Sequence, residues 1–326
     1  MGKNLFIIGN GFDLNFGLST RVNDLRNILK NYRIDYINAL DFLQGYGVDW
    51  NEYEQSLSDI QFDELFENYY IGPDYFSDHE SDRTAGSDQI QEITEQMRGA
   101  IKSALQDMIS IAEEEISEIE QIPSNVFDDS IIINFNYTST IEQVIQPQNI
   151  LIYHIHGFYK KNEDTLQFGY KNTTRSLLQT NRLKNQQMED EIQKVINNKY
   201  LLDDEKECKI EEITSSFNDF YDDYYIDNQR EILNFSYEEM KKHFQYKELD
   251  EFLNNNVEER IDQIVVLGHS MADVDSEYME ILERNINPTH WIISQYNDHP
   301  DCCDLIEYSF CDKISFCKLD EYLVYN

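Results

Sequence analysis

The stretch Asn4–Thr20, NLFIIGNGFDLNFGLST, predicts how the fold begins. Its apolar run Leu5–Ile8 is typical of a strand that is buried on both faces of a parallel sheet. Gly9 and Gly11 then permit a tight turn in which the backbone approaches a ligand too closely for a Cβ atom. A strand, a glycine turn and a helix N-terminus together direct backbone N–H groups at an anion, usually a phosphate.

The glycine spacing by itself does not identify the ligand. The next glycine is Gly17, so the pattern matches neither the dinucleotide motif G-x-G-x-x-G nor the Walker motif. An ordinary turn between a strand and a helix would use the same residues. After the turn, Ser19 or Thr20 is expected to cap a helix over Val22–Tyr36.

Further apolar runs alternate with helical patterns such as Asp275–Ile286. This alternation predicts an α/β fold with an open, mostly parallel, Rossmann-like sheet whose ligand lies beyond the carboxyl ends of the strands. The later strands are predicted at Ser130–Asn136, Asn149–His156, Asp262–Leu267, His290–Ser294 and Lys313–Lys318.

Two long acidic segments interrupt the alternation, and both have helical rather than strand patterns. We therefore predict one α/β domain over residues 1–326 with two acidic helical insertions, at residues 41–123 and 171–259. In the first insertion, Ile90–Ile119 has helical spacing and Asp78–Gly86 is expected to be a loop. The core of the domain is then formed by residues 1–40, 124–170 and 260–326.

The charge of the chain restricts its partners. Lys and Arg number 26 against 63 Asp and Glu, a formal net charge of −37. Such a charge repels nucleic acid and anionic membranes, so neither is an expected partner. No apolar stretch has the length of a signal peptide core or of a membrane span, and the five cysteines form no zinc pattern. These features predict a cytoplasmic protein with reduced thiols.

Polar residues follow four of the predicted strands. They form the clusters Gly9–Asp13, Asn134–Thr138, His154–Gly157 and Gly268–Ser270. Since the carboxyl ends of strands in such a sheet converge on one crevice, we expect the four clusters to meet there.

Several of these segments resemble the AbiH proteins of bacterial abortive phage infection and, more distantly, the sirtuin-like NAD-binding enzymes. The resemblance rests on LFIIGNGFDLNFGLST, INFNYTSTIE, YHIHG, FGY and LGHSMADVDSEYMEIL, in that order along the chain. It covers the predicted strand ends and leaves out the two helical insertions. It implies a sirtuin-like nucleotide site with NAD as the substrate.

The resemblance also assigns residues. Asn136 and His156 take the places of the catalytic asparagine and histidine of sirtuin-like NADases. Gly9, Gly11 and Gly17 take the place of the turn that binds the pyrophosphate. The ribose and adenine end would be bound by Gly268 and Ser270 and by Asp273 or Asp275. The remaining residues expected to bind the nucleotide are Asn10, Asp13, Tyr137 and His269.

The implied reaction is cleavage of the N-glycosidic bond to nicotinamide. Asn136 would orient a ribose hydroxyl or the attacking water, and His156 would act as general base, since an unperturbed histidine has a pKa near ~6.5. From the residues alone, a histidine at a strand end is more often structural than catalytic. Thr138 and His269 depart from the sirtuin pattern, and the four-cysteine zinc module of protein deacylases is missing, so protein deacylation is not expected.

Two other functions remain open from the sequence. The first is a non-catalytic nucleotide sensor whose helical insertions recognise a phage or host protein. The second is a metal-dependent hydrolase that uses Asp13, His156, His269 and Asp273, although their spacing matches no common metal motif. Homo-oligomerisation also remains open, because no interface can be recognised in the sequence.

Overall fold

A computed structural model describes residues 3–49, 56–57, 60–122, 124–158, 191–198, 201, 203–218, 224–240, 244–257, 260–271, 275–295 and 308–325. The chain divides into two compact units. The first comprises Met1–Asn31, Lys102–Tyr170 and Lys242–Asn326, and the second comprises Tyr32–Ile101 and Lys171–Lys241. The predicted boundaries of the core and of the two insertions stay predictions.

The described residues form eight strands and a series of helices. The strands are β1 Lys3–Ile8, β2 Arg33–Ile34, β3 Ile37–Asn38, β4 Ile131–Asn134, β5 Leu151–His154, β6 Ile261–Leu267, β7 His290–Gln295 and β8 Ile314–Lys318. The α-helices are α1 Asn10–Asn15, α2 Val22–Leu29, α3 Ala39–Gly45, α4 Phe62–Tyr69, α5 Ser81–Glu118, α6 Asp203–Asn218, α7 Tyr224–Glu239, α8 Tyr246–Asn256, α9 Ser276–Ile286 and α10 Leu319–Tyr325. A π-helix covers Ile141–Ile145.

The first unit contains a six-stranded sheet in which every neighbouring pair of strands is parallel. The strand order is β5-β4-β1-β6-β7-β8. Counted among the parallel strands alone, this is the order 3-2-1-4-5-6 of dinucleotide-binding folds. The predicted Rossmann-like α/β fold is confirmed. The order reverses between β1 and β6, so the topological switch point lies there.

The register of the sheet brings four strand ends to one level. Ile8, the last residue of β1, pairs with Asn134 of β4 and with Leu267 of β6. Asn134 in turn pairs with His154, the last residue of β5. The four polar clusters predicted to meet at one edge of the sheet therefore follow four adjacent strands at the same height.

Strand β1 is buried on both faces, as its apolar run predicts. Leu5 and Ile7 pack into the apolar cluster on one face of the sheet, and Phe6 and Ile8 pack into the cluster on the other. All four side chains have no exposed surface. At about 2 kcal/mol for each fully buried side chain, this strand anchors the glycine turn that follows it.

Two local predictions are wrong. The helix predicted over Val22–Tyr36 ends at Leu29. Strands β2 and β3 then form an antiparallel hairpin, and both residues of its turn, Asp35 and Tyr36, have positive φ. The loop predicted over Asp78–Gly86 is largely helical, because α5 begins at Ser81.

The cap of α2 also differs from the prediction. Neither Ser19 nor Thr20 caps α2, whose N-cap is Arg21. The π-helix after β4 has Thr140 at its N-cap, and no side-chain cap bond is formed there. Ser19, Thr138 and Thr140 bond to carboxylates instead, as described below.

In its described residues, the second unit is mainly helical apart from the β2–β3 hairpin, and it carries much of the acidic sequence. In it, the buried Gln229 of α7 holds the segment after α4, since its side-chain Nε2 donates to the carbonyl of Ile71 over 3.0 Å. Among the described residues, no helix has the length and apolarity needed to cross a membrane. Cys208, Cys311 and Cys317, the cysteines among the described residues, are not in disulfide bonds.

Candidate functional site

The loops that follow β1 and β6 touch at the switch point. The N–H of Gly9 donates to the carbonyl of Leu267 over 3.0 Å, and the N–H of Gly11 donates to that of Gly268 over 2.7 Å. A Cβ atom at Gly9 would lie 2.5 Å from the Cα of His269, and one at Gly11 would lie 2.8 Å from the Cα of Gly268. The packing of the two loops is therefore by itself sufficient to require glycine at both positions, independently of any ligand.

Gly17 lies apart from this contact. It follows the end of α1, where its N–H donates to the carbonyl of Leu14 over 3.0 Å. Its φ of +78° favours glycine, but a Cβ atom there would meet nothing within 4 Å. The three glycines that the sequence groups together thus have two different structural roles.

Asp13 is the centre of a buried polar network. Its side chain is 1% exposed. Thr138 donates its hydroxyl to Oδ2 over 2.6 Å, and Thr140 donates its hydroxyl to Oδ1 over 2.7 Å. The side chain of Asn136 forms a further hydrogen bond with the same carboxyl group. Asp13 therefore connects α1 to the segment after β4.

Burial raises the pKa of Asp13 to about 6 from its ordinary value of 3.8. The three hydrogen bonds lower this pKa, and the nearby charge of Glu113 raises it, but desolvation is the largest effect. Asp13 thus changes its charge close to neutral pH, which is typical of groups in functional sites.

Asn136 ties the end of β4 to the turn after β1. Its N–H donates to Oδ1 of Asn134 over 2.9 Å, and its Nδ2 donates to the carbonyl of Gly9 over 3.1 Å. The side chain is buried, with 6% of its surface exposed. The structure therefore brings Asn136, Asp13 and the glycine turn together, as the sequence predicts.

His156 follows β5 and is also buried, at 6% exposure. Its ring lies beside the rings of Phe135 and Tyr137, with centroid distances of 5.4 and 6.0 Å. Gly157 directly after it has a φ of +88°. The ring of Phe135 also contacts the ring of His269 at 4.3 Å, so one phenyl group touches both histidines.

His269 forms a pair with Asp275. Its Nδ1 accepts the N–H of Met271 over 2.9 Å. This bond assigns the ring proton to Nε2, which lies 3.4 Å from Oδ2 of Asp275. Of the two acids proposed for the adenine end, Asp275 is beside His269, whereas Asp273 lies outside the described residues, as does the FGY segment at 168–170.

Two other predicted ligand residues are exposed. Asn10 is on the surface, where its Nδ2 donates to the carbonyl of Thr20 over 2.9 Å. Ser270 is exposed as well. The predicted site residues that the structure gathers around the switch point are Gly9, Gly11, Asp13, Asn136, Tyr137, His156, Gly268 and His269.

Two carboxylates of α5, neither of them predicted from the sequence, also hold this site. Glu115 accepts both the N–H and the hydroxyl of Ser19, over 2.7 and 2.6 Å. Glu113 accepts both the N–H and the hydroxyl of Ser139, each over 2.7 Å. No local signal marks these glutamates, because they lie in a run of similar acidic residues.

A second missed pair lies beside Asn136. The Nε2 of His154 is 2.9 Å from a carboxylate oxygen of Glu142, and its Nδ1 is 3.4 Å from the carbonyl oxygen of Asn136. The ring of His154 also stacks on Phe158 at 4.3 Å. His154 thus supports the backbone of the segment that carries Asn136.

The metal hypothesis gains no support from the geometry. Across the part of the chain that the structure describes, no three His, Cys, Asp or Glu side chains are grouped so as to hold a metal ion. Asp13 and His269 are each occupied by other partners, namely the threonine hydroxyls and Asp275.

The raised pKa of Asp13 gives a pH-dependent stability. Because its pKa is higher in the folded protein than in the unfolded chain, its contribution is complete below about pH 4 and is lost as the pH rises through about 6. Relative to Asp13→Asn, we expect wild type to lose about 3 kcal/mol of unfolding free energy between about pH 4 and about pH 7. Urea unfolding of both proteins at several pH values measures the difference. A difference that stays constant contradicts the prediction.

The order of the sheet and the polar residues at its switch point define a Rossmann-like α/β protein with a candidate ligand site at the carboxyl ends of its strands. A sequence model of the family described as Bacteriophage abortive infection AbiH matches residues 5–295. The chain therefore belongs to the AbiH family, and this membership supports a role in abortive phage infection. Searches of curated proteins and of solved structures find no match.

Proposed function

We propose that the protein acts in abortive infection by binding NAD and hydrolysing its N-glycosidic bond to nicotinamide. The observation that carries the proposal is the position of Asn136 and His156, which follow the adjacent parallel strands β4 and β5 beside the switch point. Sheets with this strand order bind nucleotides at that point. The resemblance to sirtuin-like NADases assigns the same two residues to catalysis.

The reaction is a substitution at the anomeric carbon of the nicotinamide ribose. The bond from this carbon to the ring nitrogen breaks, and nicotinamide leaves with the electron pair as a neutral molecule. A water oxygen forms the new bond to carbon. The proton that the water loses passes to His156 as general base. The products are nicotinamide and ADP-ribose.

The other residues of the site bind and orient the substrate in this proposal. Asn136 accepts a hydrogen bond from a ribose hydroxyl or from the attacking water, which fixes the geometry of attack. The rings of Phe135 and Tyr137 flank His156 and reduce its contact with water. His269, which also contacts Phe135, and its partner Asp275 serve the adenosine half.

The test is a product analysis with purified protein and NAD, with and without a chelator. We expect nicotinamide and ADP-ribose to appear in equal amounts and the rate to be unaffected by chelation. Loss of turnover on chelation would support the metal-dependent hydrolase instead. Binding of NAD or ADP-ribose without products would support the nucleotide sensor. Absence of both binding and turnover would overturn the proposal.

A further inference from the structure

The amide group of Asn136 has a defined orientation. A carboxamide has one acceptor oxygen and an NH2 group with two hydrogens. The Nδ2 of Asn136 donates to the carbonyl of Gly9 over 3.1 Å, and the side chain also bonds to the Asp13 carboxyl, which is an acceptor when ionised. Because both acceptors attract the NH2 group, the amide oxygen Oδ1 lies on the opposite side of the group.

Asp13 is itself held on two sides. The hydroxyls of Thr138 and Thr140 each donate to one of its two oxygens, over 2.6 and 2.7 Å. With 1% of its surface exposed, Asp13 faces the protein and not a ligand. Its contacts therefore fit a role in positioning Asn136 better than a direct contact with a phosphate or a ribose.

The segment between the two threonines is fixed by a second carboxylate. Ser139 has no exposed surface, and its N–H and hydroxyl both donate to Glu113 of α5, each over 2.7 Å. The Nε2 of Gln143 donates to the same carboxylate over 3.1 Å. Along residues 138–140, the two threonines bond to Asp13 and the serine between them bonds to Glu113. A shift in one of these contacts would therefore move the other.

We propose that Asp13 is a positioning residue which, held by Thr138 and Thr140, locks the amide of Asn136 so that Oδ1 is presented to the substrate. The inference rests on the proposed function, because it explains how Asn136 would orient a ribose hydroxyl or the attacking water. It replaces the expected ligand contact of Asp13 with a contact to the protein.

The charge of Asp13 decides whether the amide of Asn136 is held in this orientation. The ionised carboxylate accepts from both threonines and from Asn136, whereas the protonated group is neutral and carries an O–H on one oxygen, so that the hydrogen bonds it accepts are weaker. The charged group that faces Asp13 is Glu113, whose negative charge raises the pKa of Asp13. Changing Glu113 to glutamine should therefore lower the pKa of Asp13, so that the amide of Asn136 is held in this orientation at lower pH.

The first readout is independent of turnover. In protein labelled with 15N at asparagine, the side-chain amide pair of Asn136 is assigned as the pair lost in Asn136→Ala. We expect this pair to be protected from solvent exchange and to titrate with a midpoint near the pKa of Asp13, about 6. The midpoint should fall in Glu113→Gln, and the titration should vanish in Asp13→Asn.

Two milder variants guard against a loss of folding. Thr140→Val removes one donor at nearly constant volume, and Thr140→Ser keeps the hydroxyl. We expect the protection of the Asn136 amide to fall in the valine variant and to persist in the serine variant. An amide pair that neither titrates nor responds to Asp13→Asn overturns the inference, whether or not the protein consumes NAD.

The second readout applies if NAD is consumed. Asp13→Asn should lower kcat by about 100-fold, the effect expected when a reacting group is misplaced, while KM changes by less than about threefold. Turnover equal to wild type would overturn the positioning role and leave the proposed function intact. Absence of turnover in wild type would remove the proposed function, and the amide measurement would still decide the orientation of Asn136.

Discussion

Alanine at position 268 is expected to destabilise the protein by about 4 kcal/mol, near the upper limit for a single methyl group. Gly268 has a φ of +68°, which costs an L-residue about 1–2 kcal/mol. Its Cβ atom would lie 2.1 Å from the backbone nitrogen of Phe12 and 2.5 Å from the carbonyl carbon of Gly11. Both neighbours are backbone atoms at the start of α1, so neither can rotate away.

Three other glycines separate the causes of this effect. Gly11→Ala adds a clash, with its Cβ 2.8 Å from Gly268, but requires no positive φ. Gly17→Ala imposes a positive φ without a clash and should cost about 1–2 kcal/mol. Gly99→Ala, in α5, meets nothing within 4 Å and should stabilise the helix by up to about 1 kcal/mol.

Urea unfolding of the four variants and wild type gives the comparison. From the most to the least stable, the expected order is Gly99→Ala, wild type, Gly17→Ala, Gly11→Ala and Gly268→Ala. If Gly268→Ala lost no more stability than Gly17→Ala, the loops after β1 and β6 would be able to separate, and the switch point would be less tightly packed than the distances indicate.

The sheet is predictable because its signal is local. The buried run Leu5–Ile8 and the predicted strand Asp262–Leu267 are recognised from consecutive apolar residues, and Leu5–Ile8 pair in register with Ile264–Leu267. The polar residues that end the strands are also local signals. Once the strands are known to be parallel, the convergence of four strand ends follows from the rules of the fold.

The hairpin at residues 33–38 is not predictable in the same way. The apolar spacing of Val22–Leu29 continues to Ile34, so periodicity extends the helix too far. The helix ends at Leu29, and the chain reverses direction further on, at Asp35 and Tyr36, which adopt positive φ. Aspartate tolerates this conformation, but a bulky residue such as tyrosine gives no signal of it. The bond from Tyr69 to Asp35, 2.6 Å long, is made by a residue distant in sequence.

The network around Asp13 is missed for a related reason. Its donors Thr138 and Thr140 are separated from it by 125 and 127 residues, and Glu115 is 96 residues from Ser19. Such contacts depend on the completed fold, so no pattern in one stretch reveals them. The sequence predicts Asp13 as a site residue but gives it a ligand contact where the structure gives it three internal donors.

The glycine turn is a case in which the right residues are predicted for an incomplete reason. The sequence explains Gly9 and Gly11 by the close approach of a phosphate. In the structure their N–H groups donate to Leu267 and Gly268, and their missing Cβ atoms make room for the loop after β6. Close approach is correct as the physical cause, and the approaching group is the protein's own backbone.

Replacing His156 or Asn136 with alanine is expected to lower the proposed NAD hydrolysis by about 10³-fold, within the range typical of general acid–base groups. The His156→Ala variant would lack the group that takes the proton of water, and the Asn136→Ala variant would lack the amide that orients the attack. Added imidazole should partly restore His156→Ala, because it supplies the missing base, and should not restore Asn136→Ala.

Matched controls come from side chains away from the carboxyl ends of the strands. His290 is at the amino end of β7, where its Nε2 is 2.7 Å from the hydroxyl of Ser315, and His290→Ala should keep full activity. Asn285 donates to Asp250 on the surface and serves as the control for Asn136. Equal activity in wild type and His156→Ala, with both proteins folded by unfolding midpoint, would exclude His156 as the base. A loss in His290→Ala as large as in His156→Ala would instead indicate that histidine replacement acts through stability, because His290 is at the amino end of its strand and the candidate site is at the carboxyl ends.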